Sequence, residues 1–135
     1  TNAIIGRLSS QIAKLALEGE IIRVVNAEKA VISGNPKTLI KDYTERIHRG
    51  NALAGPYHPK RPDGIVKRTI RGMLPYKKER GRKALKHIKV YVGVPDKLKD
   101  KKLEVIQEAL VTEGNILKYI TLKRLSNQLG ARLYE

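Results

Sequence analysis

The chain has 135 residues and no cysteine, and it carries 28 Lys and Arg against 13 Asp and Glu. Its length fits one domain of about 100–200 residues, so we predict a single domain spanning residues 1–135. The lack of cysteine excludes disulfides, thiolate metal sites and cysteine nucleophiles. No apolar run approaches the roughly 18 residues of a membrane span, and the first residues lack the apolar stretch of a secretory signal. We expect a soluble, intracellular protein with no membrane partner.

The positive charge is concentrated in one segment. The formal net charge is +15 and the pI is near 10.2, in the range typical of nucleic-acid binders. Residues 46–89, the basic segment, hold fourteen basic and two acidic side chains, whereas the other 91 residues hold fourteen and eleven. A surface charged only for solubility would mix both signs, so this segment predicts an anionic partner.

The first third of the chain predicts alternating helices and strands. Residues 6–17 have apolar side chains at helical spacing, with Gly19 as the stop signal. Residues 21–25 are almost continuously β-branched, which is typical of a strand covered on both faces of a parallel sheet. A turn at 26–29 and a short strand at 30–32 follow. Asn35 and Pro36 then start a helix with a predicted buried stripe of Leu39, Ile40, Tyr43 and Ile47.

The basic segment predicts a loop, two helices and a strand. Residues 50–64 contain three prolines and no apolar periodicity, so we expect a partner to order this loop. Residues 65–74 predict a helix that Pro75 closes, with Lys67, Arg68 and Arg71 facing away from the core. Its predicted core-facing residues are Val66, Ile70, Met73 and Leu74. A short helix at 82–87 leads into a strand at 88–92.

The C-terminal region, from about residue 96 to 135, carries eight basic and six acidic side chains. Leu103, Ile106 and Leu110 predict an amphipathic helix of mixed charge. Thr121 caps a predicted last helix whose inner residues are Leu122, Leu125 and Leu129. Strands alternating with helices favour an α/β fold around a small, mainly parallel sheet, with basic loops and helices extending from it.

Signals for catalysis and for metal binding are weak. Residues 50–55 begin and end with glycine like a phosphate-binding loop, but Pro56 follows where Lys and then Ser or Thr are needed. His48, His58 and His87 are too scattered for a local metal motif, and Glu45 with His48 has no second such pair. We therefore predict no catalytic site, cofactor, metal or small-molecule substrate.

The signals for RNA contact are strong. Tyr57 and Tyr76 lie among cations, where they either stack on bases or pack on the domain. Gly72 and Gly81 are either packing glycines or points where the backbone approaches RNA closely. With few aromatic side chains, the protein is expected to contact RNA shape and backbone rather than base sequence. The predicted RNA-binding residues are Arg46, Arg49, Tyr57, His58, Lys60, Arg61, Lys67, Arg68, Arg71, Tyr76, Lys77, Lys78, Arg80, Arg82, Lys83 and Lys86.

Several spaced motifs resemble the universal large-subunit ribosomal protein L13 family. They are Gly6-Arg7-Leu8, Val24-Val25-Asn26-Ala27-Glu28-Lys29 followed by Ser33-Gly34-Asn35, Ile70-Arg71-Gly72-Met73-Leu74-Pro75, Gly81-Arg82, and Ile88-Lys89-Val90-Tyr91-Val92-Gly93. The tract at 55–63 is similar to the archaeal and eukaryotic branch, and the short C-terminal end favours an archaeal member. Family members usually begin with an apolar strand before the first helix, whereas only residues 1–5 precede it here, so the strand count stays open.

The resemblance implies a three-layer α/β/α fold and a non-catalytic, structural role in the large subunit of the cytoplasmic ribosome. It also implies direct binding of large-subunit ribosomal RNA, neighbouring ribosomal proteins as partners, and a part in early subunit assembly. Two alternatives remain open from the residues themselves. One is a small chromatin protein that binds DNA, and the other is an α/β enzyme acting on RNA.

Overall fold

In the computed structural model, which describes residues 2–111 and 116–132, helices and short strands alternate along the chain. The helices are α1 (Ile5–Leu17), α2 (Pro36–His48), α3 (Pro62–Gly72), α4 (Glu79–Lys86) and α5 (Leu122–Gln128). The strands are β1 (Ile22–Val24), β2 (Val31–Ser33), β3 (Ile88–Val90) and β4 (Tyr119–Thr121). Single 3-10 turns occupy Ala27–Lys29, Asp96–Leu98 and Gln107–Ala109. This order confirms the predicted α/β class.

The strands form one parallel and one antiparallel pair. β1 runs parallel to β3, with Ile22 opposite Ile88, and β2 runs antiparallel to β4, with Ile32 opposite Ile120. Residues 2–4 extend the second pair, since they bridge residue 31 on one side and residue 110 on the other. The chain before α1 therefore takes part in strand pairing.

Two predicted helix caps are present. Asn35 Oδ1 accepts a hydrogen bond from the Lys37 amide at 3.1 Å, and Thr121 Oγ1 accepts one from the Arg124 amide at 3.4 Å. Each cap satisfies a backbone N–H that the first helical turn leaves without a partner. The starts of α2 and α5 are thus set by local sequence.

The core is aliphatic, as the lack of Phe and Trp predicts. Its most deeply buried large side chains are Val66, Ile70, Ile88, Ile120, Leu122 and Leu125. They come from α3, β3, β4 and α5, so both strand pairs and the basic segment contribute to one core. Full burial of such a side chain is worth about 1.5–3 kcal/mol, so these residues hold the basic helices in place.

The predicted burial of α2 is corrected. Leu39, Ile40, Tyr43 and Ile47 are half-buried rather than buried, and no residue of α2 is fully covered. The helical spacing correctly predicted which side of α2 is apolar. It could not predict how completely other residues bury that side.

The bounds of α3 also differ from the prediction. The helix starts at Pro62, which takes the favourable first position, and ends at Gly72 rather than at residue 74. Met73 therefore lies in the turn after the helix with 43% of its surface exposed, and its predicted core position is wrong.

The amphipathic helix predicted through Leu103, Ile106 and Leu110 is wrong. Residues 102–106 have no regular structure, and Leu103 is half exposed. The Ile4 amide donates to the Ala109 carbonyl at 2.7 Å, and the Val111 amide donates to the Asn2 carbonyl at 3.0 Å. These backbone bonds to a distant segment fix an extended conformation there and override helical spacing. Glu113 and Glu135, which entered the charge count of this region, lie outside the described residues.

Candidate nucleic-acid interface

Helices α3 and α4 divide their residues between the core and the surface. On α3, Ile65, Val66 and Ile70 are buried, while Lys67, Arg68 and Arg71 are half-buried at its edge. On α4, Gly81 and Ala84 are buried, whereas Arg80, Arg82, Lys83 and Lys86 are exposed. The same helices therefore anchor the fold and display cations.

The loop before α3 is tied together by its own hydrogen bonds. The Asn51 amide donates to the Gly55 carbonyl at 3.0 Å, and the Gly55 amide donates to the Asn51 carbonyl at 2.8 Å. Asn51 Oδ1 also accepts from the Leu53 amide at 3.0 Å. Leu53 sits at the tip with 91% of its surface exposed. These contacts define the conformation of residues 51–55, and the ordering of the whole loop by a partner stays a prediction.

Tyr57 links this turn to α3. Its hydroxyl donates to the Ala52 carbonyl at 2.8 Å, and its own carbonyl accepts from Arg68 Nη1 at 2.9 Å. The residue nevertheless keeps 65% of its surface exposed. The polar groups of Tyr57 are thus satisfied while its ring faces outwards.

Two adjoining cavities lie between the loop and α3. The larger, about 440 Å³, is lined by Tyr57, His58, Lys67, Arg68 and Arg71 among others. The smaller, about 110 Å³, is lined by Tyr43, Arg46, His58 and Arg68 among others. His58, Pro59 and Arg68 belong to both. Six of the predicted RNA-binding residues are therefore brought together at one place.

Cations line both cavities, and no carboxylate lines either of them. Burial lowers the pKa of His58, and the nearby Arg68, Arg46 and Arg49 lower it further. These effects favour the neutral imidazole, which can both donate and accept a hydrogen bond. Burial raises the pKa of Tyr43, while Arg46, whose guanidinium lies 5.1 Å from the ring centre, acts to lower it.

Tyr76 lies in the turn before α4 and contacts two arginines. The Arg71 guanidinium is 4.9 Å from the Tyr76 ring centre, and Arg82 Nε donates to the Tyr76 carbonyl at 3.3 Å. Arg71 lines the larger cavity, so Tyr76 connects that cavity with the cations of α4. Its ring is 39% exposed and is already engaged by a cation.

Gly81 is required by packing. A Cβ at this position would overlap the Pro75 carbonyl group and lie 2.8 Å from the Tyr76 nitrogen. By contrast, a Cβ at Gly72 would meet nothing within 4 Å. The packing interpretation of Gly81 is confirmed, and Gly72 has no close neighbour within the described structure.

Both acidic residues of the basic segment pair with cations of the same segment. Arg61 Nε lies 3.4 Å from Asp63 Oδ1, and Lys83 Nζ lies 3.0 Å from Glu79 Oε1. The remaining cations form no other ion pair with the described residues. Those with exposed side chains are Arg46, Arg49, Lys60, Lys77, Lys78, Arg80, Arg82, Lys86 and Lys89.

Within residues 2–111 and 116–132, no three His, Asp or Glu side chains come together in a way that would hold a metal ion. Over the same residues, each helix is too short or too polar to cross a bilayer. What this surface offers chemically is a set of fixed cations and aromatic faces.

Comparison with known proteins identifies the family. A family model described as ribosomal protein L13 matches residues 1–97. The large ribosomal subunit protein uL13 of Methanosarcina barkeri is 53% identical over 130 residues, which cover 96% of this chain and 93% of the relative. This chain belongs to the ribosomal protein L13 family. The uL13 proteins of Archaeoglobus fulgidus and Methanocaldococcus jannaschii are each 48% identical over 96% of this chain, covering 83% and 93% of those relatives. The resemblance noted in the motifs, including its archaeal branch, is confirmed.

Sequence reasoning missed some residues that shape the interface of this L13-family chain. Pro59, Gly64 and Leu85 complete the larger cavity. Gly64 lets the loop lie close to α3, since a Cβ there would be 2.7 Å from Pro59 Cβ. A glycine in the first turn of a helix gives no signal of this kind until the fold brings the loop and the helix together.

Proposed function

We propose that this chain is a structural constituent of the large subunit of the cytoplasmic ribosome that binds large-subunit ribosomal RNA and supports subunit assembly. Family membership supports the ribosomal role, because the relatives of this chain are named as large ribosomal subunit proteins. Such proteins are structural rather than enzymatic, and the proposed role is non-catalytic. Ribosomal RNA and neighbouring ribosomal proteins are the proposed partners.

The observation that best supports RNA binding is that most cations of the basic segment have no acidic partner. Only two acidic residues lie in the segment, and each already pairs with a cation there. The others are displayed on α3, α4 and the adjoining turns, with a folded core beneath them. Cations arranged on rigid helices suit phosphate groups, which arginine can also clamp with two hydrogen bonds.

The proposed interface consists of two adjoining parts. The first surrounds the cavities beside α3, with Arg46, Tyr57, His58, Lys67, Arg68 and Arg71. The second follows the turn after α3 and the outer side of α4, with Tyr76, Lys77, Lys78, Arg80, Arg82, Lys83 and Lys86. Arg49, Lys60 and Arg61 extend the first part. Contact is proposed to be mainly with backbone phosphates and RNA shape.

A charge-neutralised variant tests this proposal. Changing Lys77, Lys78, Arg80 and Lys86 together to Gln removes four exposed cations whose side chains make no ion pair or hydrogen bond with the described residues. Each lost phosphate contact should reduce the slope of log affinity against log salt by about 0.7–0.9. Filter binding to archaeal large-subunit ribosomal RNA over a salt series measures the slope.

A matched variant controls for net charge. Changing Lys97, Lys101, Lys102 and Lys123 to Gln removes the same number of exposed cations from the C-terminal region. The two variants should melt within a few degrees of the wild type, and only the first should bind RNA less tightly. Equal slopes for both variants would contradict the proposed interface. Equal affinity for duplex DNA would favour the chromatin alternative.

A further inference from the structure

The Tyr57 ring is held rigidly yet left uncovered. Its hydroxyl and its carbonyl are both engaged, by Ala52 and Arg68 respectively. One ring edge lies over Gly55, where an added Cβ would be 3.2 Å from Tyr57 Cδ2 and Cε2. Tyr57 is 65% exposed, and because these contacts already restrain its side chain, stacking on the ring would cost little further conformational entropy.

The cavity beside this ring combines an aromatic wall with cations. This space of about 440 Å³ is largely open to solvent. Lys67, Arg68 and Arg71 line it, and no carboxylate does. The backbone bond from Arg68 to Tyr57 and the contact of Arg71 with the Tyr76 ring hold both guanidinium groups in position.

The fitting ligand must present a flat apolar face and a negative charge close together. An isolated phosphate would make no favourable contact with the ring. The faces of a paired base are already covered by neighbouring bases. An unpaired nucleotide offers both a free base face and a phosphate, and stacking on an aromatic side chain is a standard means of holding unpaired RNA bases.

We infer that the cavity bounded by Tyr57, Lys67, Arg68 and Arg71 is a site for one unpaired RNA nucleotide, whose base stacks on Tyr57 and whose phosphate meets the cations. This inference rests on the proposed RNA binding but assigns a distinct task to one place within it. The cations of α4 hold the backbone of the RNA, whereas this site selects a position where a base is turned out of the helix.

Substitution of the ring tests the site. Tyr57→Ala should weaken binding to archaeal large-subunit ribosomal RNA by about 5- to 150-fold, the loss of one base–aromatic stack. The salt slope should not change, because no charge is removed. Tyr57→Phe keeps the ring and should bind within about twofold of the wild type. Tyr119→Ala, which removes another exposed tyrosine, from β4, should have no effect.

A fluorescence reporter distinguishes stacking from loss of structure. The chain has no Trp, so Tyr57→Trp introduces a single indole at the site and Tyr119→Trp introduces one outside it. Ribosomal RNA should quench the first reporter and not the second. A blunt-ended, fully paired RNA duplex at low salt should bind through its phosphates but quench neither.

The outcomes separate this inference from the proposed function. If the wild-type protein fails to bind ribosomal RNA, the proposed function is wrong. If the wild type binds and Tyr57→Ala binds equally well, RNA binding stands and the nucleotide site is wrong. Equal losses for Tyr57→Ala and Tyr57→Phe would mean that the hydroxyl bond to the turn matters instead of stacking. Quenching by the fully paired duplex would also overturn the site.

Discussion

The basic segment and the C-terminal region use their apolar residues in the same way but their surfaces differently. In both, a helix buries its apolar side chains in the same core: Ile65, Val66 and Ile70 in α3, and Leu122 and Leu125 in α5. Outside this shared core, the basic segment carries a large excess of cations, whereas the C-terminal region carries basic and acidic side chains in similar numbers. The proposed RNA-binding surface is therefore part of the folded domain.

The comparison predicts that changes in the core separate stability from RNA affinity in the C-terminal region but affect both properties in the basic segment. A core change in the C-terminal region should lower stability and leave the RNA surface intact. A change in the close packing beneath α4 should disturb both properties, because the cations of α4 depend on where that helix lies.

The largest expected effect comes from the C-terminal region. Leu125 is fully buried, so Leu125→Ala should lower the free energy of unfolding by about 2–5 kcal/mol through lost burial and the cavity left behind. Denaturant unfolding measures this loss. The affinity of the folded protein for ribosomal RNA, measured well below the melting temperature, should stay within about twofold of the wild type.

Leu103 provides the matched control for that prediction. It lies in the same region with half its surface exposed, so Leu103→Ala should change stability by only about 0.5 kcal/mol. A large loss of RNA affinity in folded Leu125→Ala would show that α5 contributes to the RNA surface, and the contrast between the two regions would fail.

The next effect concerns the packing beneath α4. Gly81→Ala places a Cβ against the Pro75 carbonyl, and overpacking of this kind costs about 1–3 kcal/mol, more than the helix gains from alanine. Because α4 must move away from the turn that holds Tyr76, RNA affinity should fall as well. Thermal melts and filter binding measure the two effects.

Gly72→Ala is the control for that change. A Cβ on Gly72 has open space around it, so this variant should be neutral or up to about 1 kcal/mol more stable. If Gly72→Ala keeps its stability and loses RNA affinity, the backbone at Gly72 approaches RNA closely. If Gly81→Ala is as stable as Gly72→Ala, the packing described for Gly81 is wrong.

Local signals predicted most of the helices. Asn35 with Pro36 and Thr121 with its following leucines gave correct helix starts, because a cap depends on residues within one turn. The β-branched run and the alternating order predicted a parallel sheet, but only the structure showed that β1 pairs with β3. The helical spacing of Leu103, Ile106 and Leu110 gave a wrong prediction. Backbone pairing of residues 109–111 with residues 2–4, which are remote in sequence, determines the conformation there.

The interface was predictable in charge but not in shape. Counting cations correctly located Lys77, Lys78 and Arg80 on the exposed surface. The sequence did not show that Arg68 donates a hydrogen bond to the Tyr57 carbonyl or that Gly64 leaves room for Pro59. Both contacts depend on how the loop packs against α3. The pairing of Glu79 with Lys83 could have been predicted from their i, i+4 spacing.

That pair supports the smallest and most direct test of the comparison. Glu79→Gln removes an exposed i, i+4 ion pair worth about 0.3–0.5 kcal/mol and a carboxylate that suits the first turn of α4. Stability should fall by a few tenths of a kcal/mol. RNA affinity should rise, since Lys83 becomes available and one negative charge leaves the basic segment.

The C-terminal region offers the counterpart in Asp96, which pairs with Lys99 at 2.5 Å. Asp96→Asn makes the same change in net charge and should not alter RNA affinity beyond about twofold. An equal rise in both variants at 0.15 M salt would show that RNA responds to total charge, and the basic segment would lose its special role.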